Sequence, residues 1–320
     1  MQQRLHRVTG ASRHAVVGMI MCVLMTACGT GIEMTEHVTD KDVRKVIERV
    51  DSKQATVTLD AYTDSLAAWK IGKRFWVADD QVRQMLLYSG YDLDSLHLAH
   101  HVLSYDGMVS SGLFTGDNRN VDIRFIDQAS GQRLVYRYGK PVESSHQGFS
   151  LPMLIDLDMV DFIANQIQGK DFYIRTSIWY DRETEQMKNG RHYIKVHVDS
   201  VLPGNAVMPL RVLFTTIDTR EKAMVWMSDN ASTMHGRDFD ALFVANDPHA
   251  AYPDISAENW LKITRGEVAE GMTKVECGLA MGSPKRINEI PDQRGMREYW
   301  YYDGGTYLYF VDGLLRQFRR

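Results

Sequence analysis

The chain has 320 residues, of which 44% are hydrophobic and 10% aromatic, and a formal net charge of −4. A mildly acidic chain without clustered Lys and Arg is not expected to bind nucleic acid or to adhere electrostatically to anionic headgroups. Its length predicts about two domains, or three small ones, with enough residues to bury a substantial core.

Residues 1–27 are typical of a secretory signal peptide. Three arginines form a cationic start, an apolar run follows between residues 15 and 25, and the small Ala27 precedes Cys28. The run is shorter than the ~20 apolar residues that a membrane helix needs. Cys28 after a small residue makes the segment resemble the lipobox of bacterial lipoproteins, although Met25 replaces the usual Leu. The resemblance implies lipidation of Cys28; the alternative is a plain signal peptide followed by an ordinary buried thiol.

Lipidation of Cys28 would define the location and the thiol content of the mature chain. Losing the three arginines of the leader changes the net charge from −4 to −7. Cys22 leaves with the leader, so Cys277 remains as the single free thiol and an internal disulfide is excluded. Gly29 stands where an Asp would follow the cysteine, which by analogy with enteric sorting predicts an outer-membrane anchor. No acidic surface-export cluster follows, which favours the periplasmic face.

Residues 28–63 are predicted to form a tether and a short helix. The stretch 29–41 is small, polar and acidic, and apolar residues then recur at helical spacing between Val43 and Val50. We expect the first packed element near Leu66. The acyl anchor is the membrane contact that we expect for this chain.

Residues 64–145 and 150–252 are predicted to form two β-rich modules, of which the second resembles the first. The strand-like run 72–77 recurs as 169–174, and residues 121–125 resemble 209–214. A short helix-like segment precedes each run, residues 64–69 in the first and 154–167 in the second. Short strands separated by turn residues favour small antiparallel barrels over βαβ units. Duplication and chance similarity between two strand-turn-strand stretches both remain open.

Residues 256–320 are predicted to form a separate domain of two helices and an antiparallel sheet. Ser256 is a natural N-cap for the first helix, and Thr273 and Glu276 have the spacing of a capping box for the second. The second helix should carry Val275, Leu279 and Ala280 inward and end at residues 282–284, Gly-Ser-Pro. A loop is expected from there to Gly295.

Two aromatic runs, residues 298–302 and 306–311, flank Asp-Gly-Gly and predict a hairpin, with a further turn leading to Leu314 and Leu315. The predicted fold class is therefore α+β. Two small antiparallel barrel-like modules precede a domain of two helices and one antiparallel sheet.

A series of short patterns in residues 260–318 resembles a known domain. Gly-Met-Thr-Lys, Gly-Ser-Pro, Trp-x-Tyr, Tyr-Leu-x-Phe and Asp-Gly-Leu follow one another there. Their order and spacing are similar to those of the SmpA/OmlA (BamE-like) outer-membrane lipoprotein domain. The resemblance implies an envelope scaffold or binding module. The classical members are little more than this one domain, so the resemblance does not establish a place in the outer-membrane assembly machine.

The candidate binding residues are Tyr299, Tyr301, Tyr307 and Tyr309. Strand alternation predicts that Trp300, Tyr302, Leu308 and Phe310 enter the core and leave the four tyrosines partly exposed on the other face. Tyrosine is enriched in protein interfaces because it supplies large, rigid area with a polar tip. The alternative is contact with the preceding β-module of the same chain. The basic end, Arg316, Arg319 and Arg320, is interpreted as solvated.

No motif indicates catalysis, a cofactor or a metal. His97, His100 and His101 form the one metal-like cluster, and His97 and His101 have the spacing to share a helix face, but zinc needs further ligands. Asp156, Asp158 and Asp161 could do acid–base work, although capping and solvation of a helix explain them better. The sequence lacks the HExxH, GxSxG and phosphate-loop patterns.

We therefore expect a lipid-anchored envelope protein that binds another protein without catalysis. A secreted-type inhibitor or wall-component binder is the alternative. An enzyme of unrecognised type is the third interpretation.

Overall fold

The structure, a computed structural model, describes residues 58–87, 96–111, 119–145, 149–229, 236–292 and 295–319. The predicted leader, Cys28 and the helix expected between Val43 and Val50 lie outside these residues. So does most of the predicted tether.

The described chain is β-rich with a few helices and belongs to the predicted α+β class. The strands are β1 (Arg74–Val77), β2 (Val102–Ser110), β3 (Asn120–Asp127), β4 (Arg133–Pro141), β5 (Leu154–Asp156), β6 (Asp171–Ile174), β7 (Ile178–Tyr180), β8 (Met187–Asn189), β9 (Ile194–Pro203), β10 (Leu210–Thr216), β11 (Lys222–Met227), β12 (Phe243–Val244), β13 (Arg286–Asp292), β14 (Gly295–Tyr301), β15 (Tyr307–Val311) and β16 (Leu314–Arg319). The helices are α1 (Leu157–Ile167), α2 (Phe239–Leu242), α3 (Pro248–Ala251), α4 (Ala257–Thr264) and α5 (Lys274–Met281). Short 3-10 turns occur at Leu66–Ala68, Asp80–Met85, Val142–Ser144 and Asp303–Gly305.

The strands form three antiparallel sheets. Their orders are β4-β3-β2-β1-β5, β12-β6-β9-β10-β11-β7-β8 and β13-β14-β15-β16. In the first sheet the meander β1–β4 carries β5 beside β1. In the second sheet β6, β9, β10 and β11 are neighbours in that order, with β12 beside β6 and the β7–β8 hairpin beside β11. Each sheet packs against its own cluster of buried side chains, so the described chain has three hydrophobic cores.

Strand alternation determines which side chains enter these cores. In β10, Leu210, Val212, Phe214 and Thr216 are buried and the residues between them are half-buried. Because successive side chains point to opposite faces, one face of the sheet supplies the core. Helix α1 covers this core with four residues at helical spacing, Met159, Val160, Ile163 and Ile167.

Helix α1 begins later than the sequence predicts. The helical pattern suggests a start at Leu154, but Leu154–Asp156 form β5 and pair with β1. The helix then begins at Leu157, where the Asp156 carboxylate accepts a hydrogen bond of 2.9 Å from the amide of Asp158. Pairing with the edge of β1 therefore keeps these three residues in a strand instead of the helix. Packing also begins before Leu66, since Leu59 is buried in the core of the second sheet.

The caps predicted for the C-terminal helices are confirmed. Ser256 accepts a hydrogen bond from the amide of Asn259, and Thr273 and Glu276 form both halves of a capping box. Gly282, at φ 73°, is the C-cap of α5. None of the described helices is long and apolar enough to cross a bilayer.

Two predictions for the C-terminal domain are wrong. Val275 is 40% exposed, and Cys277 takes its place in the core beside Leu279. The segment predicted as a loop forms β13, which pairs along its length with β14. The turn predicted to lead to Leu314 and Leu315 is followed by a fourth strand, β16, which runs to Arg319. β13 and β16 are edge strands, and their sequences lack a clear apolar alternation. The sequence pattern therefore does not predict that they pair with β14 and β15.

Candidate binding face on the C-terminal sheet

The four candidate tyrosines lie together on the outer face of the four-stranded sheet. Tyr299 and Tyr301 belong to β14, Tyr307 and Tyr309 to β15, and all four are half-buried. The strand register places Tyr299 opposite Tyr309 and Tyr301 opposite Tyr307. The ring centroids of Tyr299 are 4.7 Å from Tyr309 and 6.4 Å from Tyr301, so the rings form one continuous aromatic strip. Cross-strand pairs of this kind also stabilise the sheet.

The inner face of the same strands fixes this orientation. Trp300, Leu308 and Phe310 are fully buried, as predicted, and pack with residues of α4 and α5. Tyr302 is only partly buried and donates a hydrogen bond of 3.1 Å to the carbonyl of Gly282. Since the alternation is strict, burial of the large inner side chains turns the tyrosines outward.

A buried polar pair accompanies the inner aromatic residues. Glu298 is 4% exposed and accepts a hydrogen bond of 3.2 Å from the indole nitrogen of Trp300. The ammonium group of Lys274, in the first turn of α5, forms an ion pair with Glu298. The Lys274 side chain is 35% exposed, so its removal would leave the buried Glu298 without a cation, whereas removal of Glu298 would leave Lys274 in contact with solvent.

Three arginines share the outer face with the tyrosines. Arg286 lies opposite Tyr301 in the sheet, and its guanidinium carbon is 4.4 Å from the centre of that ring. Arg297 is two residues before Tyr299 on β14, and Arg319 pairs with Tyr307 across β15 and β16. Stacking of arginine on an aromatic ring keeps the guanidinium hydrogen-bond donors available. We name this surface, Tyr299, Tyr301, Tyr307, Tyr309, Arg286, Arg297 and Arg319, the tyrosine–arginine face.

The sequence pattern predicts the tyrosines of this face but not its arginines. Arg286 lies in the segment predicted as a loop, and Arg319 was interpreted as part of a solvated terminus. Both reach the face only because β13 and β16 pair with the hairpin. The alternation Tyr-x-Tyr on one side could be extended to Arg297 from the sequence, since it has the same strand parity.

The C-terminal domain is attached to the second sheet through its helices. His192, which precedes β9, donates its backbone amide to the carbonyl of Thr264 at 2.9 Å, and its Nε2 lies 3.2 Å from the carbonyl of Leu279. Burial lowers the pKa of His192 to about 4, so the ring is neutral at pH 7 and Nε2–H donates to that carbonyl. Trp260 of α4 packs against Tyr193 beside it, at 6.3 Å between ring centroids. Among the described residues, these attachments involve the helix side of the domain, and the tyrosine–arginine face lies on the opposite side of its sheet.

The predicted histidine cluster does not share a helix face. His97 lies in an irregular segment, with Nδ1 3.3 Å from a carboxylate oxygen of Asp80. Nδ1 of His101, just before β2, is 3.1 Å from Asp127. His100 adopts φ 68°, which is outside the range of a right-handed helix. The described residues contain no group of three or more His, Cys, Asp or Glu side chains that could hold a metal ion.

A buried lysine cluster joins the first sheet to α1, the helix that packs on the core of the second sheet, and no sequence pattern indicates it. The ammonium nitrogen of Lys73 is 2.8 Å from Asp156, 2.9 Å from Asp158 and 3.0 Å from Asp64, and its side chain is 5% exposed. Lys170 occupies the corresponding position of the second strand-like run and is exposed. The shared Gly-Lys pattern therefore carries no signal that one lysine is buried.

The protonation equilibria of this cluster indicate a structural role. Burial alone would lower the pKa of Lys73, but hydrogen bonds to Asp156, Asp158 and Tyr62 outweigh it and raise that pKa. Burial also raises the pKa of Asp156, and Lys73 offsets only part of the rise because one ammonium serves three carboxylates. A catalytic lysine needs a lowered pKa, so Lys73 is a charged clamp and not a general base.

No family profile matches the sequence, and neither the curated proteins nor the solved structures include a match.

Proposed function

We propose that this protein is a lipid-anchored envelope protein that binds another protein through the tyrosine–arginine face. The observation that carries the proposal is the co-location of four half-buried tyrosines and three arginines on one exposed sheet face. Tyr and Arg are enriched at interface hot spots because they bury large, rigid area and form several hydrogen bonds. The leader and Cys28 support an outer-membrane anchor facing the periplasm.

The finer architecture belongs to the same proposal. The first two sheets are two copies of one barrel-like module, and residues 256–320 form an SmpA/OmlA-type domain. Equivalent backbone hydrogen bonds support the duplication: the amide of Gly72 donates to Tyr105 at 2.8 Å, and that of Gly169 donates to Val198 at 2.9 Å. Both glycines have positive φ, which favours glycine. An experimental structure in which β2 and β9 have different strand neighbours would contradict the duplication.

Site-specific photo-crosslinking in intact cells tests the binding face. A photoreactive phenylalanine replaces Tyr307 in one strain and Met187, in the β7–β8 hairpin, in the other. Met187 is 67% exposed, so crosslinking by exposure alone would favour the control position. We expect a discrete protein adduct from position 307 and not from 187. Equal adducts at both positions, or adducts at neither, would contradict the proposal.

Charge reversal provides the second arm of this experiment. Arg297→Glu in the chain that carries the crosslinker at position 307 should reduce the adduct about tenfold, because a reversed charge at an interface repels an acidic partner. Arg137→Glu, on an exposed position of β4, is the matched control and should leave the adduct unchanged. The wall-binding alternative predicts crosslinking to glycan-containing material instead of protein. The enzyme interpretation has no supporting observation among the described residues.

A further inference from the structure

A groove runs between the first and second sheets, in a part of the molecule that the proposed function does not use. It consists of two adjoining cavities of about 560 and 670 Å³. Met153, from the loop before β5, and residues 205–207, from the turn between β9 and β10, line both cavities. Volumes of this size are typical of sites for small ligands.

One end of the groove contains one arginine, Arg237, and one carboxylate, that of Asp79, which accepts a hydrogen bond of 2.7 Å from the amide of Gln81. Arg237 lines it together with Trp226 and Tyr180, whose rings are 6.1 Å apart in an edge-on arrangement. The Nη1 atom of Arg237 is buried and has no hydrogen-bond partner among the described residues. A buried charged donor without a partner is costly, so this guanidinium fits an anionic ligand group.

The other end of the groove presents negative charge. Within the described part of the chain, four carboxylates line it, those of Asp60, Asp64, Asp156 and Asp229, and no Lys, Arg or His does. Lys73 sits behind this wall and is bonded to Asp64 and Asp156, so it compensates only part of the charge. The negative charge that Lys73 does not compensate favours a cationic ligand group at this end.

An ordered apolar stretch connects the two charged ends. The Asn205 side chain accepts hydrogen bonds of 2.9 Å from the amides of Val207 and Met208, and this fixes the turn. Val207 is nevertheless 60% exposed at the rim of the groove. Met153, Ala206 and Val207 thus offer an apolar floor and rim between charges of opposite sign.

We propose that this groove binds a short peptide or peptide-like ligand, with its carboxylate at Arg237, its apolar body over Met153 and Val207, and an amine at the acidic end. The charges at the two ends give the ligand a direction. This inference is independent of the tyrosine–arginine face, and either can fail without the other.

Binding of defined tripeptides to the full chain in mild detergent tests the proposal. The probes are Lys-Leu-Ala with a free carboxyl group, the same peptide as its C-terminal amide, and the same peptide with both amines acetylated. Isothermal titration gives the affinity, and the indole resonance of Trp226 reports on the Arg237 end. We expect the free acid to shift that resonance and the amide to bind about tenfold more weakly or worse, since the amide loses a charge-assisted hydrogen bond.

Two variants assign the effect to Arg237. Arg237→Gln should bind the acid and the amide equally, and Arg237→Lys should recover part of the preference for the acid. Arg137→Gln, on an exposed strand position, should bind as the unchanged chain does. Thermal unfolding of each variant verifies that the fold is intact.

Three results would overturn the proposal. The carboxylate contact is wrong if the unchanged chain binds the acid and the amide equally, or binds neither. It is also wrong if Arg237→Gln keeps the preference for the acid. The amine contact is wrong if the acetylated peptide, or decanoate as a simple apolar carboxylate, binds as tightly as Lys-Leu-Ala.

Discussion

Replacement of Lys73 by methionine tests the charged clamp between the first sheet and α1. Methionine keeps an unbranched side chain of similar length but removes the ammonium group, whose nitrogen lies 5.9 Å from the ring centre of Trp69 and 5.6 Å from that of Phe75. The side chains of Asp156 and Asp64 are 17% and 19% exposed, whereas that of Asp158 is 52% exposed and its pair contributes little. Removal of one partner from a buried ion pair costs ~3–5 kcal/mol. We expect the free energy of unfolding to fall by about 3 kcal/mol at pH 7, at the lower end of this range, because Asp156 and Asp64 remain partly exposed to solvent.

The pH dependence separates loss of charge from loss of packing. In Lys73→Met the folded-state pKa of Asp156, already raised by burial, rises further because no cation remains beside it. The folded variant then binds protons that the unfolded chain does not bind, and its relative stability increases as pH falls through that pKa. The difference between the two chains in free energy of unfolding should therefore be largest at pH 7 and shrink toward pH 4.

Urea unfolding followed by circular dichroism measures this difference. Lys70→Met, three residues earlier and exposed, is the control and should change the free energy of unfolding by less than ~0.5 kcal/mol. Adding Asp156→Asn to Lys73→Met should recover part of the loss, because one unpaired carboxylate is removed. The clamp would be refuted by a Lys73→Met chain as stable as the unchanged one at pH 7. A loss that stays constant between pH 7 and pH 4 would assign the effect to packing instead.

Three further predictions concern other parts of the chain. His192 has a pKa of about 4 in the folded chain, below that of an unfolded histidine, so acidification from pH 7 to pH 5 should lower the free energy of unfolding by roughly 2 kcal/mol. His192→Phe should flatten this part of the pH–stability curve. An unchanged slope in that variant would contradict the assignment. Gly190→Ala would place a Cβ 1.9 Å from the ring of the fully buried Trp179, so urea unfolding should show that the free energy of unfolding falls by about 1–3 kcal/mol or more. Trp179→Leu in the same chain should partly relieve this loss. An Ala variant as stable as the unchanged chain would show that the strand can shift freely. Cys28→Ser should move the folded protein from the membrane to the soluble fraction on cell fractionation; retention in the membrane would contradict both the lipobox interpretation and the tethered-binder proposal.

Interactions that span a few residues were predictable from the sequence. The caps at Ser256 and Thr273 depend on side chains three residues apart, and the hairpin around Asp303–Gly305 depends on its own turn residues. The division between Trp300 in the core and Tyr299 outside follows from the two-residue period of a strand. In each case the information lies within one element.

Tertiary structure decided everything that joins distant segments. Lys73 meets Asp158 85 residues along the chain, and its counterpart Lys170 is exposed although the local sequence is similar. Arg286 reaches the tyrosines only through the pairing of β13 with β14, which its own residues do not signal. Arg237 faces a groove whose other wall comes from the loop at Met153. The sequence by itself thus determined the caps, the hairpin turn and the strand alternation of the C-terminal domain, because each depends on residues within one element. The charges that meet at the clamp, on the tyrosine–arginine face and along the groove depend on strand order and burial, and these are properties of the whole chain.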